Sequence, residues 1–404
     1  MKILMSHVGR KGTTGFGRTY SLARGLAGLG HTVSLLTTQE TGFRLPWLVE
    51  DVDGVRVYAT PELMTAGLSD GGYGVLSTAL KTLFWGPRLY DIVHSDVSHR
   101  PASGWPCRFN RWLRGSAYIS EWWDNYGREG QLAHRDRPRT VLGRFLQRYE
   151  CWAEIESRRA ADGVVVLSEA ARKRAISVGI PGDKLVVIHG GCETEDIRFR
   201  EPGNRSGGYL KDCTLIFGFI GLTTGDEQDL APFLGAFTLL CGALNLGLVT
   251  CGGKQSVNMK TRLPADRIVD LGWLNFRRES HRLTDVDVFV LVKQPNAKNA
   301  CGWPNKLGDY LAFGRPVLCT RYGDVAPLMD QHPDCFYPVD WSEASILQTL
   351  RAIATESPVR RLERSRYARR IAEELFSWNA KARELESFYR RILVSRKNNM
   401  SRDE

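Results

Sequence analysis

The chain has 404 residues, length for two large domains or three small ones at roughly 150 residues each. Hydrophobic residues at 43% and charged residues at 25% match the globular balance and exclude a disordered or fibrous chain. Fifty-five Lys and Arg against 45 Asp and Glu leave a charge of +10, which favours an anionic partner: nucleotide phosphates, a membrane surface or nucleic acid.

Residues 1–40 read as a strand (MKILMSHV), a glycine-rich loop (GRKGTTGFGRT), a helix ended by Gly30 and a second strand (HTVSLLTT), a βαβ unit that calls for a parallel sheet. The N-terminal stretch lacks the apolar core of a signal peptide. The alternation continues through DGVRVYAT, DIVHSD, SAYISEWW, DGVVVLS and DKLVVIHGG, with Ser168 placed to cap the helix SEAARKRAISVG. Residues 196–212 are polar and contain Gly and Pro, so they read as a linker. A second alternation follows: TLIFGFIGL, a helix from EQDLAPFLGAFTLL, then LGLVTCGG, RIVDLGW, DVFVLVK, the helix KLGDYLAFG and PVLCT. Leu230–Gly253 carries no charge, but its Pro, Asn and glycines fit a buried helix and strand better than a membrane span. The last segment reads as two amphipathic helices broken near Ser377. The sum is two doubly wound α/β halves, with ligands expected at the carboxyl ends of strands, in the cleft between the halves.

Nine cysteines, an odd number with no CxxC pair, indicate a reducing compartment and no metal site of close spacing. The DVD runs at 51–53 and 285–287 resemble a metal-binding DxD by chance; the second opens a strand at the end away from the site. In the glycine-rich loop, GTTGFGR lacks the GxGxxG register and the second strand ends TTQE, which disfavours a dinucleotide. Two readings of Gly15 and Gly17 stay open: a turn without ligand, or a seat for a phosphate or sugar hydroxyl.

The most informative run is CGWPNKLGDYLAFGRPVLCTRYGD, residues 301–324. Pro304 suits a first helical turn, Asn305 and Lys306 stand at its N-terminal end, and Asp309 is one turn on. Free N–H groups, the helix dipole and the Lys306 ammonium would hold a diphosphate, and Asp309 would accept from a ribose diol; alternatively Lys306 and Asp309 form a surface i, i+3 pair.

WPNKLGDYLAFGRPVL resembles the signature of retaining GT-B glycosyltransferases of the family 4 type, in the subgroup with a P-N/S/T-K-x-x-E-Y pattern. AADGVVVLSEAARKRAISVGIPGDKLVVIHGGCE, FGFIGL and LFSWNAKARELESFYRRIL are similar to that family's first-domain end, second-domain start and closing helix. The resemblance implies two Rossmann-like domains facing a cleft: 1–195 for the acceptor, joined by a returning helix at 378–395, a linker at 196–212, and 213–377 for a nucleotide-diphosphate sugar. It implies sugar transfer with retention and without a metal or other cofactor. Asp309 matches the ribose-binding acid. The acid expected eight residues earlier is Cys301, and the Arg and Lys expected after the first strand of the second domain are replaced by GLTTGDEQD, with Thr223 and Thr224. Lys293, Lys298 and Lys306 are the substitute cations, and LGWLN makes Trp273 and Leu274 candidates for the base, with core packing an equal alternative for Trp273.

Arg100–Arg148 holds ten Arg against four acids, a net of +6, interleaved with Trp105, Trp112, Trp122 and Trp123. That composition suits a glycan or lipid-linked acceptor, or an anionic membrane surface on the inner, cytoplasmic side. GVLSTALKTLFWGPRLY, with Lys81 and Arg88, fits either an interfacial helix or one packed on the sheet. Nucleic acid is not expected, because no binding motif accompanies the basic residues. Glu121, Asp124 and His94, near strand ends of the first half, are the candidate catalytic residues, and Asp96 closes the same strand as His94. The alternatives to a transferase are a nucleotide-sugar epimerase and a silent relative that binds a glycan or partner.

Overall fold

The computed structural model describes residues 1–404 except 14, 40–47, 124–139, 204–207, 222, 253–262 and 404. The chain divides into two compact units, Met1–His189 with Trp378–Glu404, and Gly190–Ser377. The division falls six residues before the expected 195, and residues 196–212 count within the second unit rather than between the two.

The first unit is built on eight strands: β1 (Lys2–Arg10), β2 (Thr32–Thr38), β3 (Leu48–Val52), β4 (Val55–Thr60), β5 (Ile92–Ser95), β6 (Ala117–Trp122), β7 (Gly163–Val166) and β8 (Leu185–Val187). Their order is β3-β4-β2-β1-β5-β6-β7-β8, parallel except for β3 against β4. Helices α1 (Phe16–Gly28), α2 (Ala66–Asp70), α3 (Val75–Trp85), α4 (Pro101–Arg114), α5 (Val141–Arg159) and α6 (Glu169–Ser177) connect them. Covered on both faces, the central strands are apolar throughout rather than alternating, and Ile3, Leu4 and Met5 are all buried. Ile3, Met5 and Leu35 face α1, whereas Leu4, Leu36 and Val93 pack with Trp85 and Cys107 on the other side. Ser168 caps α6, its Oγ accepting from the Ala171 N–H at 3.0 Å.

The second unit holds six parallel strands, β9 (Leu215–Gly221), β10 (Leu246–Gly252), β11 (Ile268–Asp270), β12 (Val288–Leu291), β13 (Val317–Thr320) and β14 (Phe336–Val339), in the order β11-β10-β9-β12-β13-β14. Its helices are α7 (Thr223–Leu240), α8 (Phe276–Glu279), α9 (Ala297–Cys301), α10 (Lys306–Ala312), α11 (Val325–Gln331), α12 (Glu343–Thr355) and α13 (Pro358–Ile371). Leu230–Gly253 is the end of α7 followed by β10, and Phe233 and Phe237 of α7 pack on Phe217. Among the described residues no helix is long and apolar enough to cross a membrane.

After Ser377 the chain returns to the first unit as α14 (Trp378–Asp403), longer than the expected 378–395. Helices α1 and α14 cross closely because residue 25 is glycine: a Cβ there would lie 2.5 Å from that of Ala382.

Candidate functional site

In a doubly wound sheet the carboxyl ends of the strands carry the chemistry. On the first unit, that edge holds a set of buried charges. Glu121 closes β6 and is fully buried; Arg18 Nε donates to its Oε1 at 2.8 Å. The same guanidinium donates to the His189 and Ile188 carbonyls, both at 2.9 Å, so all its groups work inside the unit. His94 is buried as well, with Nδ1 2.5 Å from the Tyr389 hydroxyl of α14 and Nε2 3.8 Å from Glu121 Oε2. Burial holds the His94 imidazolium form down against the pull of Glu121, and pushes the Tyr389 phenol up. Glu121 and His94, expected to work on substrate, are both buried and bonded to Arg18 and Tyr389, while Glu121 Oε2 and His94 Nε2 have no hydrogen-bond partner. Asp124 lies outside the described residues.

One layer over, His7 near the end of β1 and Asp96 just after β5 stand abreast, since Ser6 and Ser95 are in register. His7 Nδ1 lies 2.5 Å from Asp96 Oδ2. Sequence reading singled out Asp96 but not His7, although a histidine two residues before the glycine-rich loop at the end of a first strand was a signal available there. Of the two readings open for the helix of Lys81, interfacial or packed on the sheet, its side chain fits the second: it points inward, and Nζ donates to the His7 carbonyl at 3.1 Å. Burial lowers this ammonium to about 8.

The glycine-rich loop above them is shorter than expected, because α1 already starts at Phe16 and Gly17 is helical. Gly15 precedes the helix at φ 88°, and a Cβ there would lie 2.1 Å from the Trp123 ring. Glycine at 15 thus has a packing reason of its own.

The second unit's edge is more open. Tyr310 fixes α10 to the end of β9, its hydroxyl accepting from the Ile220 N–H at 3.0 Å while its ring stacks on Phe289 at 4.2 Å. That anchoring brings Lys306, in the first turn, to 4.3 Å above the Phe219 ring. Asp309 follows on the same helix; burial, with the nearby Glu193 charge second, pushes its carboxyl up to about 8. The charge of Asp309 in turn adds to the burial that raises the Cys251 thiol near the end of β10 to about 12. Pro304 is buried and Asn305 exposed at the head of the helix. Trp273, after β11, is 80% exposed and Leu274 is buried beneath it, so core packing does not explain the tryptophan.

Not every expected cation is at hand. Lys293 Nζ, one of the expected cations, forms an ion pair with Asp229 Oδ2 at 3.2 Å. Thr223 and Thr224 form the first turn of α7 rather than a loop; their side chains, like that of Lys298 in α9, lie outside what is described. Cys301 ends α9 half-buried.

This architecture is the GT-B fold. A sucrose-phosphate synthase from Thermosynechococcus elongatus is similar over 98% of this chain and 99% of its own, at 13% identity and a TM-score of 0.66. Anabaena HepE, solved with UDP-glucose, is similar over 96% and 98% (13%, TM-score 0.64), and WaaG, a glycosyltransferase of lipopolysaccharide biosynthesis, over 95% and 98% (16%, TM-score 0.61). Residues 17–191 are similar to the glycosyl transferase 4-like domain. No curated protein matches the sequence significantly.

Proposed function

We propose that the protein transfers a sugar, with retention of configuration, from a nucleotide-diphosphate donor on the second unit to a hydroxyl of a glycan or lipid-linked acceptor on the first. The observation that carries this reading is the joint placement of Lys306, Asp309 and exposed Trp273 in the second unit. Lys306 and the backbone N–H groups of Asn305 and Lys306, with Gly15 and Gly17 as further donors on the first unit, would stabilise charge on the leaving diphosphate. Asp309 would take the ribose diol, Trp273 and Leu274 the base, and Asn305 the sugar or phosphate. Lys306 supplies the cationic role without a metal or other cofactor. HepE's UDP-glucose supports a nucleotide sugar as the donor.

A panel of UDP, GDP and ADP sugars, each assayed for nucleotide release with and without acceptors, tests this reading. Release with one donor supports transfer, unchanged rates in EDTA support metal independence, and the anomer of the product tests retention. Binding of a donor without any release would establish the second reading, a silent relative, which Cys301 and the buried Glu121 favour.

The acceptor side is proposed to rest on an anionic membrane surface at the cytoplasmic face. Helices α3 and α4 contain no acidic residue, and Leu83, Phe84, Trp105 and Trp112 are exposed beside Arg88 and Arg114. Trp122, by contrast, is buried against Arg158 and Arg174 and belongs to the fold. None of the nine cysteines is in a disulfide, in keeping with the reducing cytoplasm. Sedimentation with anionic vesicles that fades at high salt supports this surface; no pelleting at low salt refutes it.

A further inference from the structure

Residues 293–301, between β12 and α10, contain only the five-residue helix α9, capped by Asn296 Oδ1 accepting from the Asn299 N–H at 2.9 Å. A helix that short does not hold itself in water, so its place is set from outside. Asp229 of α7 does much of that setting. Its Oδ1 accepts from the Gln294 N–H at 2.9 Å and from Asn299 Nδ2 at 3.4 Å, and its Oδ2 accepts from Lys293 Nζ at 3.2 Å. One carboxylate thus grips both the start of the segment and its helix.

Asp229 is itself fixed, since Trp341 Nε1 donates to its carbonyl at 2.9 Å. The β13 side pins the segment further. Thr320 Oγ1 accepts from the Lys293 N–H at 2.9 Å and donates to the Lys293 carbonyl at 2.7 Å, and a Cβ at Gly323 would lie 2.8 Å from the Ala300 carbonyl oxygen. The segment leaves the carboxyl end of β12, between β9 and β13, and runs on into the head of α10. Cys301 and Asn305 are four positions apart, so the chain lets them separate by about 14 Å at most. Groups attached to a diphosphate at the head of α10 are within reach of this segment. With the ribose on Asp309 and the base at Trp273, the group at the diphosphate's other end is the sugar.

We propose that Asp229 is a positioning residue for the donor's sugar: it holds residues 293–301 in place to meet the sugar, while the nucleotide half rests on α10 and Trp273 without its help. The inference rests on the donor reading above and deepens it by assigning the sugar to a segment of its own. Asp229 touches neither half of the donor; it acts through the Gln294 backbone, the Lys293 ammonium and the Asn299 amide. The Lys293 and Asp229 side chains are mostly buried, so removing the carboxylate leaves an ammonium and an N–H short of a partner, and the segment must shift to find others. A fixed surface discriminates between sugars because a misplaced hydroxyl leaves polar groups unpaired, whereas a loosened surface adapts to it.

The test is calorimetry on wild type and three variants, with UDP, GDP and ADP and then the sugars of whichever nucleotide binds. Asp229→Ala is expected to weaken the nucleotide sugar about tenfold while the nucleoside diphosphate alone stays within about twofold, tenfold being the scale of one charge-assisted contact. Asn299→Ala, at a half-buried position, should weaken the nucleotide sugar selectively by a smaller factor, and it decides the matter if Asp229→Ala does not fold. Asp229→Asn keeps an oxygen for the Gln294 N–H and should recover most of the affinity. The kcat/KM ratio between the preferred sugar and the next best on the same nucleotide should fall in both alanine variants. Equal weakening of nucleoside diphosphate and nucleotide sugar would mean that Asp229 only supports the fold around α10. Unchanged affinity for both would mean that residues 293–301 do not meet the donor. Either result overturns the proposal and leaves transfer intact. A wild type that binds none of the three nucleotides overturns the donor reading, and this proposal with it.

Discussion

The two strand-carboxyl edges use their charges in opposite ways. On the first unit Arg18, Glu121, His94 and Asp96 are buried and bonded to one another's neighbours, so each holds a position. On the second, Trp273 projects into solvent, and Lys306 and Asp309 keep part of their surface. Residues of similar chemistry at equivalent places in two sheets therefore differ in whether they meet a ligand or support the residues that do. Removing a buried partner should unfold; removing an exposed one should only release ligand.

The largest expected effect is on the first edge. Arg18→Leu strands the buried Glu121 charge and should cost about 3–5 kcal/mol of stability, measured by urea unfolding. Nucleotide affinity on the second unit should not change in the fraction that remains folded. Little loss of stability would mean that this edge is not structural. Next comes Lys306→Ala, which should weaken nucleotide binding about tenfold, or about 1.4 kcal/mol, by calorimetry. Unchanged affinity would take Lys306 out of the site. Trp273→Ala should weaken nucleotide binding by about 0.5–1.5 kcal/mol, the worth of one aromatic contact, while the melting temperature stays put. A fall in melting temperature would show that this tryptophan packs after all.

A separate effect concerns pH. The Asp309 carboxyl is raised from 3.8 to about 8 in the folded chain, so the folded state keeps a proton that the unfolded state has released. Its contribution to stability is full below the ordinary carboxylate range and is lost as pH rises toward 8. The wild-type melting temperature should therefore fall between pH 5 and 8 more than that of Asp309→Asn, measured by calorimetry across that range. Parallel curves would argue that the carboxylate is solvated.

Much of this was legible in the sequence because it is written in local pattern. Apolar strands, the Ser168 cap, the break near Ser377 and the WPNK run at the head of α10 all follow from neighbours along the chain. What stayed hidden depends on neighbours across the sheet. That Glu121 is spent on Arg18, 103 positions away, is invisible to spacing, as is the pairing of His7 with Asp96. The inward turn of Lys81 is hidden for the same reason: a lysine on an apolar helix face fits an interfacial or a packed helix alike until a strand-end carbonyl is found to receive it. The ion pair of Lys293 with Asp229, which reaches it from α7, is equally invisible along the chain.

The return of α14 to the first unit has a consequence for biosynthesis. Ala382, Leu385, Phe388, Tyr389 and Ile392 belong to the same core as Ile3, Met5 and Leu35, so that core lacks one wall until synthesis has passed Ile392. The second unit, contiguous from Gly190 to Ser377, has all its strands in hand earlier. On the ribosome the chain's second unit can therefore finish first, and a message cut short before Trp378 leaves a first unit whose apolar sheet face is covered by α1 without α14.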